Sequence, residues 1–329
     1  MKYKKCAALL TAAALLLPGC AGLSEKRNLT YTDILYDTTI SVKILDPASQ
    51  DVLDGCEELC RKYDTMFSAT QEDGEIYQIN HAQGAAVPVS AETIDLIKRG
   101  IYYGGLSNGA FDITIGAVSS LWDFKAETPQ VPSSEALAQA RTHVDYKKIV
   151  LKDNTVMLTD PGAALDVGAI AKGYIADRVK EYLEDQGVRH AVIDLGGNIQ
   201  TIGTKPDGSS YNIAIQRPFA KNGEAVTSVK IADQSVVSTG IYQRYFETED
   251  GTIYHHILDP ATGAPCRNNL YSVTIITDSS LTADALSTTC FLLGYEESMN
   301  LIDQLENVDA VFITSDGALH YSSNFQKKQ

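Results

Sequence analysis

The stretch KKIVLKDNTVMLT, residues 147–159, sets two runs of β-prone residues on either side of Asp153-Asn154. Both turn residues tolerate the positive φ angles of a two-residue hairpin loop, so the stretch predicts antiparallel pairing. The pattern recurs. Turn signals at Pro206-Asp207-Gly208, Asp250-Gly251 and Ala261-Thr262-Gly263 punctuate a strand-rich region running to residue 277, and VDAVFITSDGALHYS closes the chain as a further hairpin. TISVKIL (39–45) alternates apolar and polar residues as a half-buried strand does.

Helical patterns are interspersed among these strands. In DVLDGCEELCRKYDTMF, Leu53, Cys56, Leu59, Cys60 and Tyr63 recur at helical spacing, so both cysteines read as small core hydrophobes. No Cys-x-x-Cys pair or histidine–cysteine spacing supports a zinc site. Further helices are predicted over AETIDLIKRGIYYGG, near residues 134–141, after the turn in DVGAIAKGYIADRV, and over LTADALSTTCFLLG and YEESMNLIDQLEN; KAETPQVPSSE reads as an exposed loop. The sum is an α+β fold of antiparallel sheets with flanking helices. VIDLGGN (192–198) puts glycines after a strand but lacks the GxGxxG spacing and the helix of a dinucleotide-binding unit.

The first residues are set apart. Lys2, Lys4 and Lys5 precede an apolar run from Cys6 to Leu17 and then Pro18-Gly19-Cys20, the make-up of an export signal too short to span a bilayer. Leu17-Pro18-Gly19-Cys20 resembles the bacterial lipobox, which predicts cleavage after residue 19 and lipid on Cys20. The organisation expected is a signal at 1–19, a polar tether at 20–30 and one domain at 31–325. Cleavage takes away three lysines and no acids, so the formal charge of −15 falls by those three to −18. So acidic a body argues against nucleic acid or anionic lipid as partners.

Three stretches carry the chemistry. In LDVGAIAKGYIAD a glycine at 168 and the amides of a helix start suit an anion, with Lys172 adding charge. Asp284 and Thr288 stand four apart on one predicted helix and share a face; they are hard oxygen donors of the kind Mg²⁺ takes. Alone, that pair is equally a helix-capping aspartate and a back-bonded threonine. YHHILDPATGAP offers His255 and His256 on opposite sides of a strand, so that one at most enters a given pocket.

Six motifs in order, SNGAFDITIG with LWDF, LDVGAIAKGYIAD, VIDLGGNI, VVSTGIYQRYF, YHHILDPATG and TADALSTTCFLLG, resemble the ApbE family of FAD:protein FMN transferases over about residues 36–314. The resemblance implies an ApbE-like (T-fold-like) domain in which Mg²⁺ and FAD sit together. It implies that the Ala169 carbonyl, Asp284 and Thr288 ligate Mg²⁺. FAD would meet Ala110, Phe111, Asp112, Asp166, Lys172 and the backbone near Ile257. A flavin contact that members make through methionine falls here on Tyr36, because this chain has Tyr36-Asp37-Thr38 where they commonly have Met-Gly-Thr.

The implied reaction moves FMN from FAD to a threonine hydroxyl of an acceptor protein and releases AMP, with His256 as the base, Asp284 beside it in catalysis, and His255 structural. Acceptors in the family are extracytoplasmic subunits of membrane redox complexes, which lipid on Cys20 would place at the same surface. Two other outcomes share the pocket: Mg²⁺-dependent hydrolysis of FAD to FMN and AMP, or non-catalytic FAD binding by a lipoprotein.

Overall fold

The computed structural model describes residues 27–220 and 223–328. One antiparallel sheet of eight strands organises it: β1 (Arg27–Leu35), β2 (Thr38–Ala48), β3 (Ala191–Leu195), β4 (Asn198–Ile202), β5 (Ser235–Gly240), β6 (Leu270–Thr277), β7 (Asp309–Thr314) and β8 (Leu319–Tyr321). Strand order across the sheet is strand order in the chain. This is the α+β, antiparallel architecture that the hairpin signals predict.

Strand alternation puts a separate apolar cluster on each face of the sheet. Val237, Ile275 and Phe312 share one buried cluster with helices α1 (Gln50–Met66), α2 (Ala91–Leu106), α3 (Ala171–Asp185) and α4 (Ser280–Leu293). Their neighbours Val236, Ile276 and Ile313 face the other way, onto a ribbon of Tyr211–Gln216 paired with Ala225–Ile231. Cys56 and Cys60 are fully buried on α1 and free, as their helical spacing implies.

The turns account for most of the connections. Ile149–Lys152 pairs antiparallel with Thr155–Leu158, and of the two turn residues between them only Asp153 takes a positive φ. VIDLGGNI is also a hairpin: Gly196 and Gly197, at φ +68° and +93°, join β3 to β4. The β1–β2 turn sits at the same end of the sheet, so close that a Cβ on Gly196 would lie 2.4 Å from Thr38 Cγ2. β5 finishes at that end too, since it runs antiparallel to β4 with Val237 opposite Asn198.

The expected tether is shorter than its polar composition suggests. β1 begins at Arg27, and Leu29 and Tyr31 are buried beside α1, so residues 27–30 belong to the sheet and pair with β2. The signal segment and Cys20 lie outside the described residues. At the other terminus a helix, Ser323–Lys328, straddles the expected domain end at residue 325.

Candidate active site

Two of the motif loops lie side by side, tied by the Asp166 amide donating to Ile113 O at 2.8 Å. In the first loop Ala110 is half-buried and Phe111 is in the core, its amide donating to Ser107 Oγ at 2.8 Å. Asp112 is an internal brace. Its Oδ1 accepts from the amide and hydroxyl of Thr114 at 2.8 and 2.6 Å, and its Oδ2 from the Tyr146 amide at 2.8 Å. Burial raises its pKa, against those bonds. In the second loop Asp166 accepts from the Gly168 amide at 2.9 Å and from the Ser119 hydroxyl at 2.8 Å. Both aspartates therefore hold the loops that the resemblance assigns to FAD. Lys172, on the first turn of α3, reaches back to Gly168 O at 3.3 Å.

The N–H of Gly173 would ordinarily return to the carbonyl four residues back, that of Ala169. It donates instead to Oδ2 of Asp284 on α4, at 2.9 Å. Ala169 O is left with no hydrogen bond among the described residues, and Asp284 Oδ1, on a buried residue, has none either. Thr288 lies one turn along α4 on the same face. The simpler reading of the Asp284–Thr288 pair does not hold. Ser279 caps α4 by accepting from the Thr282 amide at 3.2 Å, and the back-bonded hydroxyl is that of Ser287, donated to Asp284 O at 2.9 Å. A free carbonyl, a free carboxylate oxygen and a hydroxyl are hard donors that fit Mg²⁺. No three His, Cys, Asp or Glu side chains cluster as a metal site among the described residues, so main-chain and hydroxyl oxygens must complete any such set.

α4 is fixed at its start by a residue without a role in the sequence reading. Asp177 of α3 accepts from the Ser279 hydroxyl and the amides of Ser280 and Leu281, at 2.7, 2.7 and 3.1 Å. Its burial raises its pKa. Asp177 lies four residues after Gly173, one turn further along α3, so both meet α4.

His256 follows the strand Ile253–His255 and is held by Arg244, whose carbonyl accepts its amide at 3.1 Å and stands 3.2 Å from its Nδ1. A carbonyl can only accept, so Nδ1 carries the proton and Nε2 keeps its lone pair. Burial pushes the His256 pKa down to about 4 against that bond, and the charges of Arg244 and Lys172 add to the lowering. Lys172 and the histidine therefore feel each other.

His255 points the other way, buried, with Nε2 3.1 Å from Cys266 O and Nδ1 accepting from the Ile257 amide at 3.3 Å. Ile257 O in turn accepts from the Cys266 amide at 2.9 Å, so His255 and Cys266 fix the backbone at Ile257. A cavity of 360 Å³ on the His255 side, bounded by Ile241, Cys266, Leu270 and Tyr271, is lined by none of the expected ligands.

Tyr36 and Asp37 form the β1–β2 turn, at φ +52° and +61°. The Tyr36 hydroxyl donates to Cys60 O at 2.6 Å and its amide to Asp64 Oδ1 at 2.8 Å, which anchors the residue to α1. Asp37 pairs with Lys125 at 2.8 Å, and its carbonyl lies 3.5 Å from Arg244 Nη2, so the turn adjoins the His256 side of the site.

The sequence profile of the ApbE family matches residues 36–312. The chain belongs to the ApbE family. That span ends within two residues of the stretch over which the motifs resemble ApbE proteins. Relatives include the FAD:protein FMN transferase of Treponema pallidum, 33% identical over 92% of this chain and 89% of that protein, and one from Klebsiella pneumoniae, 35% identical over 92% and 94%. Among solved structures, the ApbE protein of Thermotoga maritima and the flavin transferase ApbE of Vibrio cholerae each superpose with a TM-score of 0.82. They are 29% and 28% identical, and each comparison covers 92% of this chain and 99% of the other. Two ApbE motifs carry residues to which the sequence alone assigns no role: Asp177 ends LDVGAIAKGYIAD, and Thr239 lies within VVSTGIYQRYF.

Proposed function

We propose that this chain transfers FMN from FAD to a threonine hydroxyl of an acceptor protein, with Mg²⁺ and with release of AMP. The observation that carries the reading is the diversion of the Gly173 amide to Asp284 Oδ2, which frees Ala169 O and leaves Asp284 Oδ1 unpaired on the helix docked against the turn of Lys172, whose charge acts on His256. Ala169 O, Asp284 and Thr288 are the groups that would hold the cation. The chemistry supplied there when Mg²⁺ is bound is neutralisation of the pyrophosphate oxygens as charge builds on the leaving AMP phosphate.

The protein's own groups do the rest. The ammonium group of Lys172 binds the pyrophosphate. Neutral His256 accepts the acceptor hydroxyl's proton at Nε2 as that oxygen bonds to the FMN phosphorus and the bridging P–O bond to AMP breaks. The Arg244 carbonyl keeps the imidazole in the tautomer this requires. Lipid on Cys20 holds the enzyme at the outer face of the cytoplasmic membrane, where extracytoplasmic acceptor subunits are found.

Incubating the protein with FAD, Mg²⁺ and an acceptor domain bearing a threonine motif, then weighing the acceptor by intact-mass spectrometry, tests the proposal. An FMN adduct on threonine with one AMP released per adduct is expected. Release of FMN and AMP without an adduct would instead make the chain an FAD pyrophosphatase, and FAD bound unchanged would make it a carrier.

A further inference from the structure

Thr239, buried near the end of β5, faces two hydroxyls of α4. Its Oγ1 lies 2.7 Å from Ser287 Oγ and 3.1 Å from Thr288 Oγ1. The direction of these bonds follows from counting protons. Ser287 donates its proton to the Asp284 carbonyl, which can only accept. Ser287 Oγ therefore accepts from Thr239, whose single proton is then spent, and the 3.1 Å contact is left for Thr288 to donate into. The Ser287 proton is taken by the Asp284 main-chain carbonyl and those of Thr239 and Thr288 by the row itself, so none is left to point at the cation. Thr288 Oγ1, which accepts nothing in the row, keeps its lone pairs for the cation.

We infer that Thr239 is a positioning residue for the cation site: by accepting the Thr288 proton it makes the Thr288 hydroxyl a pure oxygen donor toward the metal. The inference rests on the Mg²⁺ reading above. Were the row reversed, Ser287 would donate to Thr239 and Thr239 to Thr288, and the Thr288 proton would point at the cation. Asp284 anchors the favourable direction through its carbonyl, which accepts from Ser287, while its Oδ2 holds α4 against Gly173. Partners of this kind, one bond removed from the metal, typically govern affinity by about 10- to 100-fold.

Mn²⁺ can stand in for Mg²⁺ and be followed directly by electron paramagnetic resonance of the free ion, with the full chain in detergent and FAD present. Thr239→Val keeps the shape of the side chain and removes the acceptor; Mn²⁺ should bind roughly 10-fold more weakly. Thr239→Ser should restore wild-type affinity, and FAD affinity measured without the cation should be the same in all three. Wild-type Mn²⁺ affinity in Thr239→Val, or equal loss in the valine and serine variants, overturns the inference while leaving the Mg²⁺ reading intact. Failure of the wild type itself to bind Mn²⁺ overturns both. If Thr239→Val does not fold, Ser287→Ala reads the same row from its other end: without its acceptor Thr239 turns toward Thr288, Mn²⁺ affinity should drop, and unchanged affinity sinks the inference.

Discussion

The Gly173 amide and the Asp284 carboxylate, 111 positions apart in the chain, meet at 2.9 Å. That one bond joins the lysine-bearing turn to the helix that carries Asp284 and Thr288, the proposed metal ligands. It also withdraws the amide that would otherwise occupy Ala169 O. The proposed cation site is thus a by-product of how two helices dock, and its geometry depends on how closely they approach.

Gly173→Ala tests the closeness. A Cβ there would lie 2.3 Å from Ser280 O and 2.7 Å from both Leu281 Cα and Asp284 Cβ, and the backbone atoms among these cannot rotate aside. Glycine to alanine inside a helix ordinarily stabilises by up to about 1 kcal/mol, so the sign is diagnostic. We expect a loss of roughly 1–3 kcal/mol by denaturant unfolding, with weakened Mg²⁺ response. A variant as stable as the wild type would mean that the helices do not need this contact.

Asp284→Ala and Thr288→Ala should be graded. The carboxylate supplies the only formal charge among the three donors, whereas water can replace a neutral hydroxyl. Calorimetric titration should therefore find Mg²⁺ binding abolished in the first variant and weakened in the second. Equal losses would contradict the ligand assignment.

How much of this was legible beforehand depends on how far apart the partners lie. The helical repeat of Leu53, Cys56 and Tyr63, the turn at Asp153 and the Asp284–Thr288 face are all local, and period and turn chemistry suffice to read them. The alternation of His255 and His256 is local as well, and the structure sends them to opposite sides. Thr239 is 49 positions from Thr288 and Asp177 is 102 from Ser279, so no spacing rule connects them. Asp112 could be placed in a motif, but not given its task of tying Thr114 to Tyr146, because that pairing exists only once the loop has folded. The 27–30 segment misled by being polar, since its contribution to the sheet is mostly backbone pairing.

Lys172→Met should weaken FAD binding and also raise the His256 pKa, because the lysine's charge is one of the causes that lower it. Imidazole proton resonances followed against pH would report the second effect without any turnover. An unmoved His256 titration would place the lysine too far away to act on it.

Cys20→Ala should release the protein from membranes. No helix among the described residues is long and apolar enough to cross a bilayer, and acyl chains on the mature N-terminus are the anchor proposed. Fractionation that left the variant membrane-bound after signal cleavage would remove lipidation from the account.

His256→Ala is the sharpest test of the chemistry. As proton acceptor its loss should lower turnover by about 10²- to 10⁴-fold with FAD affinity largely kept. The pH dependence separates it further. An ordinary histidine titrates near about 6.5, but burial and two neighbouring cations hold His256 at about 4, so the free enzyme keeps its base neutral well below the usual range. The acid limb of kcat/KM should accordingly lie closer to pH 4 than to 6.5. Stability carries the same sign: between those values the unfolded chain binds a proton that the folded one refuses, so His256 costs stability as pH falls through 6.5, and the cost is complete below about 4. His256→Ala should flatten that part of the stability profile. An acid limb at 6.5, or lost FAD affinity with turnover unchanged at saturation, would make His256 a ligand contact and leave the proton to another acceptor.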